Sequence, residues 1–537
     1  LAREWGSKKT YLGAGGWGVG LGGAGRSPMG AQWARMMTIL GAMQGYGRPG
    51  SNFGNLQFGA PLDFNFYFPG YGEGSFSGEL TTSANSANNY QRMPHIVTMS
   101  SVRQAIPRMW FPEAITQGKA MGYLTDVSSI QGQFFPFGYP SPGHVRVQML
   151  YKYGSSSLGT QVGSNRWIQA YQHESLKFVV NQSVWWEGET PFADIVLPAC
   201  TVFERWDIGE WYNVGAGYVH HMYSMNNHRV IALQHKAIEP LGESKSDYDI
   251  FLAIAEKLDL GAVYSEGGTS EYDWCKRVFD SSDLAKRTSW REFLKKGYYV
   301  VAPDPESARA PTANRWFYEG RKKDTPEPYP LPSEYVASLG KGLQTPSGKF
   351  EFVASTLKRV DDPDRPPLNQ YMPVYEDGKR EPQLAEFPLQ LLSPHSRYPF
   401  HLMGDDEGCS VRDIREHRVL KDGHYYLVAR INREDAAARG IRDDDLIRLW
   451  NNRGSVVCAA QLTDRLRPGV VSASTASAEY RPAGEPGKST DLGGCINMLN
   501  PSKAIARKTH GIRPNTTLIQ IEKWTGVDTW QPRAEIA

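Results

Sequence analysis

The stretch DAAARGIRDDDLIRLWNNRGSVVCAAQLTDRLRPGVVSAS, residues 435–474, decides the fold of the carboxyl-terminal part of the chain. Its pattern predicts a short helix and then three short strands. Turns are indicated by the residues at 443–445, 452–454 and 468–469. A further strand, FPLQLLS, precedes this stretch at 387–393. We therefore predict a compact, mainly β, barrel-like domain over residues 386–537.

The middle of the chain has the pattern of an α/β domain, which we place at residues 146–385. Strands are indicated by VRVQMLYKYG, KFVVNQSVW and ADIVLPAC, and an amphipathic helix is indicated by DYDIFLAIAEKLDL at 247–260. Strands that alternate with helices favour a parallel sheet. Proline- and charge-rich clusters in 300–385 are typical of loops or a linker. Residues 1–145, with a glycine-rich loop, form the remaining predicted domain.

The composition of the 537 residues excludes several functional classes. Lys and Arg number 59 against 57 Asp and Glu, so the surface has no broad footprint for a nucleic acid. No apolar run approaches the roughly 18 residues that a membrane-spanning helix needs. The five cysteines are far apart and contain no CxxC pair, which argues against a local iron–sulfur or zinc motif and favours a reducing compartment. We therefore expect a cytoplasmic protein. Its start at Leu1 suggests a fragment or a processed chain.

Two glycine motifs, GAGGWG (13–18) and GVGLGG (18–23), match a dinucleotide-binding pattern. A simple NAD site also needs an acidic residue about 20 positions further on. No Asp or Glu lies between Trp5 and Leu62, whereas arginines do, so NAD is disfavoured. A basic backbone loop beside an anionic ligand and a purely structural glycine loop both remain open. A helix is predicted to follow, with Ser27 as its N-cap and Pro28 as its first residue.

Neither the histidines nor the aromatic run defines a site by itself. Adjacent His220 and His221 would point to opposite faces of a strand, so a shared metal ion is disfavoured and no metal ligand is assigned. The run FNFYFPGYG (64–72) is typical of a packed aromatic cluster. A phenol within it, Tyr67 or Tyr71, could also act as a weak acid or hydrogen-bond donor.

Several segments together resemble the molybdopterin oxidoreductases, the dimethyl sulfoxide reductase family. They are GRSPMGAQWARMMTILGAMQGYGRPGSNFG (25–54), NQSVWWEGETPFADIVLPACTVFE (181–204), HYYLVARINREDAAARGIRDDDLIRLWNNRGSVVCAAQLTDRLRPGVV (424–471) and INMLNPS (496–502). Within this family, the segments 238–267 and 272–284 are most similar to enzymes that move hydroxyl groups between polyhydroxybenzenes. The resemblance covers the carboxyl-terminal three-fifths of such a catalytic subunit.

The resemblance implies parallel-sheet domains and a six-stranded barrel that bind two molybdopterin guanine dinucleotides with Mo or W. It implies a hydroxyl transfer from a tetrahydroxybenzene to pyrogallol, giving phloroglucinol. Tyr67 would be the catalytic residue, and Trp17 and Tyr223 would bind the aromatic substrate. Dinucleotides need backbone donors, cationic groups and amide or carboxylate partners. The candidate cofactor-binding residues are Gly16, Trp17, Arg26, Ser393, His395, Arg397, Asn432, Asp435 and Asn497.

Local roles remain an alternative for two of these residues, because Asp435 could start a helix and Asn497 could cap a turn. The resemblance also implies a small iron–sulfur subunit, and a preceding part of the same subunit that carries the metal ligand and a His/Asp acid–base pair. Alternative functions are an aromatic hydroxylase, a catechol dehydroxylase or a hydratase of the same family. A cofactor-binding part-chain that is inactive alone is a further alternative.

Overall fold

A computed structural model gives the architecture of most of the chain. It describes residues 2–8, 27, 29–44, 104, 106, 108–123, 136–154, 156–210, 230–300, 346–347, 349–373, 376, 385–399, 402, 404–405, 408–475, 477, 479–504, 506–508 and 517–533. The α/β class with a parallel sheet and a carboxyl-terminal six-stranded barrel is confirmed. The boundaries set at 145 and 385 stay predictions.

The described residues of the amino-terminal part include three α-helices and one hairpin: α1 (Ala2–Ser7), α2 (Gly30–Met43), α3 (Phe111–Thr116), β1 (Ala120–Tyr123) and β2 (Pro136–Tyr139). The predicted start of α2 at Ser27 and Pro28 is wrong, because the helix begins at Gly30. Met29 takes a left-handed conformation with φ 60° just before it, and the Gly30 N–H donates to the Ser27 carbonyl over 2.8 Å. A tight turn therefore replaces the expected first helical turn.

Helix α2 is held by main-chain carbonyls from a distant segment, 364–367. The Gln32 side-chain amide donates to the Asp364 carbonyl at 2.7 Å. The Arg35 guanidinium donates to the carbonyls of Pro366 and Pro367 at 2.8 and 2.7 Å. The side chains of α2 therefore hold the segment 364–367, which forms no strand.

Three strands in the middle of the chain form the predicted parallel sheet: β3 (Met149–Tyr153), β4 (Phe178–Ser183) and β5 (Ile195–Pro198). Two short helices connect the first pair: α4 (Ser157–Thr160) and α5 (Ser164–Tyr171). Ser156 caps α4, because its hydroxyl accepts the Gly159 N–H at 3.0 Å. Trp167 of α5 stacks on Phe111 of α3 with ring centroids 5.0 Å apart. Helix α5, which lies in the connection from β3 to β4, therefore packs against helix α3.

A second, antiparallel sheet has its own helical cover. Its strands are β6 (Asp207–Glu210), β7 (Val230–Gln234) and β8 (Tyr298–Val300). The helices are α6 (Asp247–Lys257), α7 (Gly261–Tyr264), α8 (Glu271–Ser281) and α9 (Trp290–Lys296). Ile231 of the sheet and Phe279 and Phe293 of the helices are buried in one small core. The predicted amphipathic helix at 247–260 is therefore observed, three residues shorter at its end.

The carboxyl-terminal part is a closed barrel. Its strands are β9 (Leu389–Leu392), β11 (His424–Asn432), β12 (Leu446–Trp450), β13 (Ser455–Thr463), β14 (Val470–Ala473) and β15 (Thr517–Lys523). They pair in the order β11-β13-β12-β15-β9-β14, and β14 pairs back to β11, which removes both sheet edges. Strand β10 (Arg418–Lys421) adds a hairpin to β11, and helix α10 (Arg433–Ala437) follows β11. Of these strands, β9, β12, β13 and β14 were predicted from the sequence.

One hydrophobic core joins the barrel to the parallel-sheet part. Leu158 and Ile168 of the helices α4 and α5 belong to the same buried cluster as Leu449 of the barrel. The Asn497 side-chain amide donates to the Gly159 carbonyl at 2.6 Å, and the Gly163 N–H donates to the Asn497 carbonyl at 3.0 Å. Within the described ranges, no helix combines the length and apolar character needed to cross a lipid bilayer.

Candidate functional site

A cavity of about 680 Å³ lies on the outer wall of the barrel. One side is the segment 394–398, which continues from β9, and the other side is formed by β11, β13 and β14. The segment is fixed because the Thr475 N–H, just beyond β14, donates to the Pro394 carbonyl at 2.9 Å. His395 and Thr475 then form one more parallel bridge. The parallel pair β9–β14 therefore determines where the cavity wall begins.

The charge of the cavity wall suits an anionic ligand that also carries hydrogen-bonding groups. The lining contains three arginines, two histidines and two acidic residues: Arg397, Arg430, Arg465, His395, His417, Glu416 and Asp443. Hydroxyl and amide groups complete the polar lining: Ser396, Tyr398, Gln461, Thr463, Ser472 and Ser474. Guanidinium groups bind phosphate oxygens well, and amides and carboxylates bind the edges of heterocycles. A nucleotide-like ligand matches this combination.

Two of the polar residues of the wall are already oriented by the barrel. The Arg430 guanidinium donates to the Glu416 carbonyl at 3.0 Å, which draws it along the outside of β11. The Asp443 carboxylate accepts the Leu462 N–H at 2.8 Å, so one of its oxygens is engaged by β13. Both side chains are thus held in place before any ligand binds.

A fully buried charge cluster, Asp405, His417 and Arg418, lies behind this wall. Arg418 binds the Asp405 carboxylate with both Nε and Nη2, and the Nε distances are 3.0 and 3.1 Å. The His417 Nε2 lies 2.7 Å from Asp405 Oδ1. Burial alone would raise the pKa of Asp405, but the His417 hydrogen bond and the Arg418 charge lower it below its ordinary value. The carboxylate is therefore ionised and compensated inside the protein.

The predicted cofactor residues of the barrel fall into three groups. His395 and Arg397 line the cavity. Ser393 and Asn497 lie instead in a buried network around Asn500, whose amide nitrogen is 3.1 Å from Ser393 Oγ and 2.8 Å from Asn497 Oδ1. This network holds the end of β9 against the 496–498 turn.

Asn432 and Asp435 make local bonds. The Asn432 side chain accepts the Glu434 N–H at 2.8 Å and donates to the Leu466 carbonyl at 2.8 Å, so it caps α10. Asp435 accepts the Gly469 N–H at 2.6 Å and fixes the turn before β14. Leu466 lines the cavity, so Asn432 shapes its rim through the main chain. Their direct contact with a cofactor stays a prediction.

Five other predicted residues lie outside the described part of the chain: Gly16, Trp17, Arg26, Tyr67 and Tyr223. The histidines His220 and His221 lie there too. In the ranges that the structure describes, no group of three or more His, Cys, Asp or Glu side chains could hold a metal ion.

A second polar cluster lies at the carboxyl edge of the parallel sheet, where α/β proteins often bind ligands. Lys152 of β3 contacts Glu187 and lies 3.4 Å from Glu189, and all three side chains are buried. The Ser156 hydroxyl donates to Glu189 at 2.7 Å. Burial lowers the pKa of the Lys152 ammonium. Sequence reasoning missed this cluster, because a single Lys in an otherwise apolar strand carries no motif.

Comparison with known proteins identifies the class to which this fold and cavity belong. The sequence model of the molybdopterin oxidoreductase family matches residues 18–257, and the model of the molydopterin dinucleotide binding domain matches residues 406–518. The second range covers most of the barrel. The chain belongs to the molybdopterin oxidoreductase family.

Individual relatives show which members of the family this chain is similar to. The pyrogallol hydroxytransferase large subunit of Pelobacter acidigallici is 47% identical over 541 residues, covering 98% of this chain and 61% of that protein. The trimethylamine-N-oxide reductase of Haemophilus influenzae is 26% identical, covering 98% of this chain and 56% of its own. Acetylene hydratase from Pelobacter acetylenicus shares the fold with a TM-score of 0.53 at 15% identity, covering 91% of this chain and 58% of its own. The chain thus spans about three-fifths of these relatives.

Proposed function

We propose that this chain is part of the catalytic large subunit of an enzyme that transfers hydroxyl groups between polyhydroxybenzenes. The single observation that carries the proposal is the 47% identity to a pyrogallol hydroxytransferase large subunit over nearly the whole chain. The reductases of the same family reach only 25–27% over the same length. The difference favours hydroxyl transfer over reduction of an N-oxide or sulfoxide.

The proposed reaction balances without an external oxidant. A hydroxyl group leaves a tetrahydroxybenzene, which becomes phloroglucinol, and a hydroxyl group is added to pyrogallol, which becomes tetrahydroxybenzene. The net change is the isomerisation of pyrogallol to phloroglucinol. When bound, the molybdopterin cofactor with Mo or W supplies the redox chemistry at the carbon that loses or gains oxygen.

The barrel cavity supports the binding of the cofactor's nucleotide portion. Its arginines, Arg397, Arg430 and Arg465, offer charge-assisted donors to a pyrophosphate. Gln461 and Asp443 offer groups of the kind that recognise a heterocyclic edge. The residues of the cavity therefore fit a pterin dinucleotide. We propose two guanine dinucleotides per subunit.

The chemistry at the phenol is assigned to Tyr67, whose hydroxyl would donate a proton to, or accept one from, a ring hydroxyl group of the substrate. Trp17 and Tyr223 would hold the flat ring between aromatic faces. We further propose a small iron–sulfur subunit as partner, a preceding segment with the metal ligand and a His/Asp pair, and a cytoplasmic location. These assignments rest on the resemblance to the hydroxytransferase.

Cofactor analysis of the purified protein tests this proposal. The expected result is two oxidised pterins and two GMP released per chain, with one Mo or W by elemental analysis. A Tyr67→Phe variant should retain the full cofactor content and lose most of its hydroxyl transfer. A Tyr71→Phe variant is the control. Full activity of Tyr67→Phe with the cofactor bound would contradict the assigned role of this phenol.

A further inference from the structure

One buried asparagine, Asn500, is bonded to the residue that precedes the wall segment of the barrel cavity, residues 394–398. Its side-chain amide nitrogen lies 3.1 Å from Ser393 Oγ and 2.8 Å from Asn497 Oδ1. Its side-chain oxygen accepts the Thr517 hydroxyl at 2.6 Å. All four side chains of this network are buried. Both N–H groups and the oxygen of the amide are therefore engaged by buried partners.

The direction of each hydrogen bond in this network follows from a main-chain group. The Gly159 carbonyl can only accept, so the Asn497 atom 2.6 Å from it is the amide nitrogen, and the other terminal atom is an oxygen. The Asn500 atom that faces this oxygen must then be a nitrogen, whose second N–H reaches Ser393 Oγ. Ser393 therefore accepts this bond, and its side chain is tied to Asn500.

Asn500 is itself held from two sides. Asn497 is tied to the parallel-sheet part of the protein through both its side chain and its main-chain carbonyl. Thr517 begins β15 and lies opposite Leu391 of β9 in the antiparallel pair of these strands. The amide of Asn500 therefore links two fixed elements to Ser393, the residue between β9 and the wall segment.

The wall segment carries exposed groups that can reach a ligand. His395 and Arg397 line the cavity and are exposed, whereas Ser393 is buried and lies outside the lining. The Pro394 carbonyl is held by the Thr475 N–H at 2.9 Å. The bond from Asn500 to Ser393 adds a side-chain contact at the point where the segment leaves β9.

We propose that Asn500 is a positioning residue for nucleotide binding in the barrel cavity. Acting through Ser393, its amide holds the wall segment in the arrangement that presents two exposed side chains, those of His395 and Arg397, to the ligand. A wall that is already ordered loses less conformational freedom when a ligand binds, so affinity is higher. This inference rests on the proposed binding of the cofactor's nucleotide portion in the barrel cavity. It assigns no contact between Asn500 and the ligand.

Calorimetric titration with GDP tests the inference on the 537-residue chain, purified from a host that makes no molybdopterin. We expect Asn500→Ala and Ser393→Ala each to weaken GDP binding about fivefold, because each removes the buried hydrogen bond that orders the wall. The double variant should bind GDP no more weakly than either single variant, since both substitutions remove the same bond. Independent structural effects would instead multiply, to about 25-fold.

Asn451→Ala is the matched control. Asn451 is another buried asparagine whose amide donates two hydrogen bonds, to the carbonyls of Leu499 and Leu518 at 2.9 and 3.1 Å. Both partners are sequence neighbours of the Asn500 network, and neither bond reaches the wall segment. We expect this variant to lose thermal stability and to keep its GDP affinity.

The outcomes separate the two levels of the proposal. Unchanged GDP affinity in folded Asn500→Ala, multiplied losses in the double variant, or an equal loss in Asn451→Ala overturns the positioning role. If Asn500→Ala does not fold, Ser393→Ala decides, and unchanged affinity in that variant overturns the role. No binding of GDP by the unsubstituted chain overturns the assignment of the cavity and this inference with it, whereas hydroxyl transfer is tested separately by activity.

Hydrogen exchange of the wall segment gives a readout that needs no ligand. The Tyr398 N–H donates to Ser396 Oγ at 3.1 Å within this segment. Exchange in a peptide that covers residues 394–399 should be about fivefold faster in Asn500→Ala than in the unsubstituted chain, and unchanged in Asn451→Ala. Equal rates in Asn500→Ala and the unsubstituted chain would contradict the inference.

Discussion

Replacement of Asp491 by asparagine should remove a pH dependence of stability that this one carboxyl group creates. Asp491 is completely buried and accepts the N–H groups of Arg481, Gly493 and Cys495 at 2.8, 3.0 and 2.7 Å. It thereby closes the 481–495 loop against β13, where the Val457 N–H donates to the Asp491 carbonyl at 2.9 Å. Burial outweighs these three hydrogen bonds and raises the pKa of Asp491 to about 6.

The sign of the effect follows from this raised pKa. Between about pH 4 and pH 6 the folded protein binds the proton of Asp491 more tightly than the unfolded chain does, so stability falls as pH rises through this window. Each pKa unit corresponds to about 1.4 kcal/mol, so the whole window is worth about 3 kcal/mol. Roughly half of this, about 1.4 kcal/mol, develops between pH 5 and pH 8.

Hydrogen exchange measured by mass spectrometry can detect this difference in the barrel. Opening free energies of peptides from the 481–495 loop and β13, corrected for the intrinsic exchange rates, should be about 1.4 kcal/mol larger at pH 5 than at pH 8. In Asp491→Asn the contribution of about 1.4 kcal/mol from this carboxyl group should be absent, while stability falls at both pH values because an amide nitrogen cannot accept the Cys495 N–H. Equal changes with pH in the two proteins would refute the reasoning.

Three further substitutions probe the barrel and its contacts. Arg418→Met should lower the free energy of unfolding by about 3–5 kcal/mol, because it leaves the buried Asp405 carboxylate without its cation. The exposed control Arg415→Met should cost under about 1 kcal/mol. Similar midpoints of thermal denaturation in the two variants would show that the buried ion pair does not stabilise the barrel. Asn497→Ala should speed hydrogen exchange in α4 by about fivefold, since the one lost buried hydrogen bond to the Gly159 carbonyl costs about 1 kcal/mol; unchanged exchange would show that this side-chain bond does not hold α4 against the barrel. Arg430→Gln should weaken GDP binding about fivefold at low salt and flatten its salt dependence, whereas Arg433→Gln, outside the cavity, should have no effect.

Local patterns predicted most of the elements that surround the site. Apolar patterns predicted β9 and the three strands after α10, and the alternation of strands with helices predicted a parallel sheet, which the structure forms from β3, β4 and β5. The closure of the barrel depends on the pairing of Ile431 with Val471 across forty positions, which no local pattern contains. The start of α2 was misplaced because the left-handed Met29 lacks a sequence signal.

The candidate site was predicted in part. His395 and Arg397 were selected by resemblance, and both line the cavity. The cluster of Asp405, His417 and Arg418 was not found, because burial and closure of the barrel determine these contacts rather than spacing in a motif. Asn497 was expected at the cofactor, and its side chain instead contacts Gly159, 338 positions away. Its role toward the cofactor, like those of Tyr67 and Trp17, stays a prediction.

The most direct test of the proposed function follows an isotope through the first turnover. The cofactor-loaded protein is mixed with carbon-13-labelled pyrogallol and unlabelled tetrahydroxybenzene, and the products are analysed by mass spectrometry. Hydroxyl transfer predicts that the label appears first in tetrahydroxybenzene, while the first phloroglucinol is unlabelled. Labelled phloroglucinol in the first turnover, or no product from protein that carries its full complement of pterin and metal, would contradict the account.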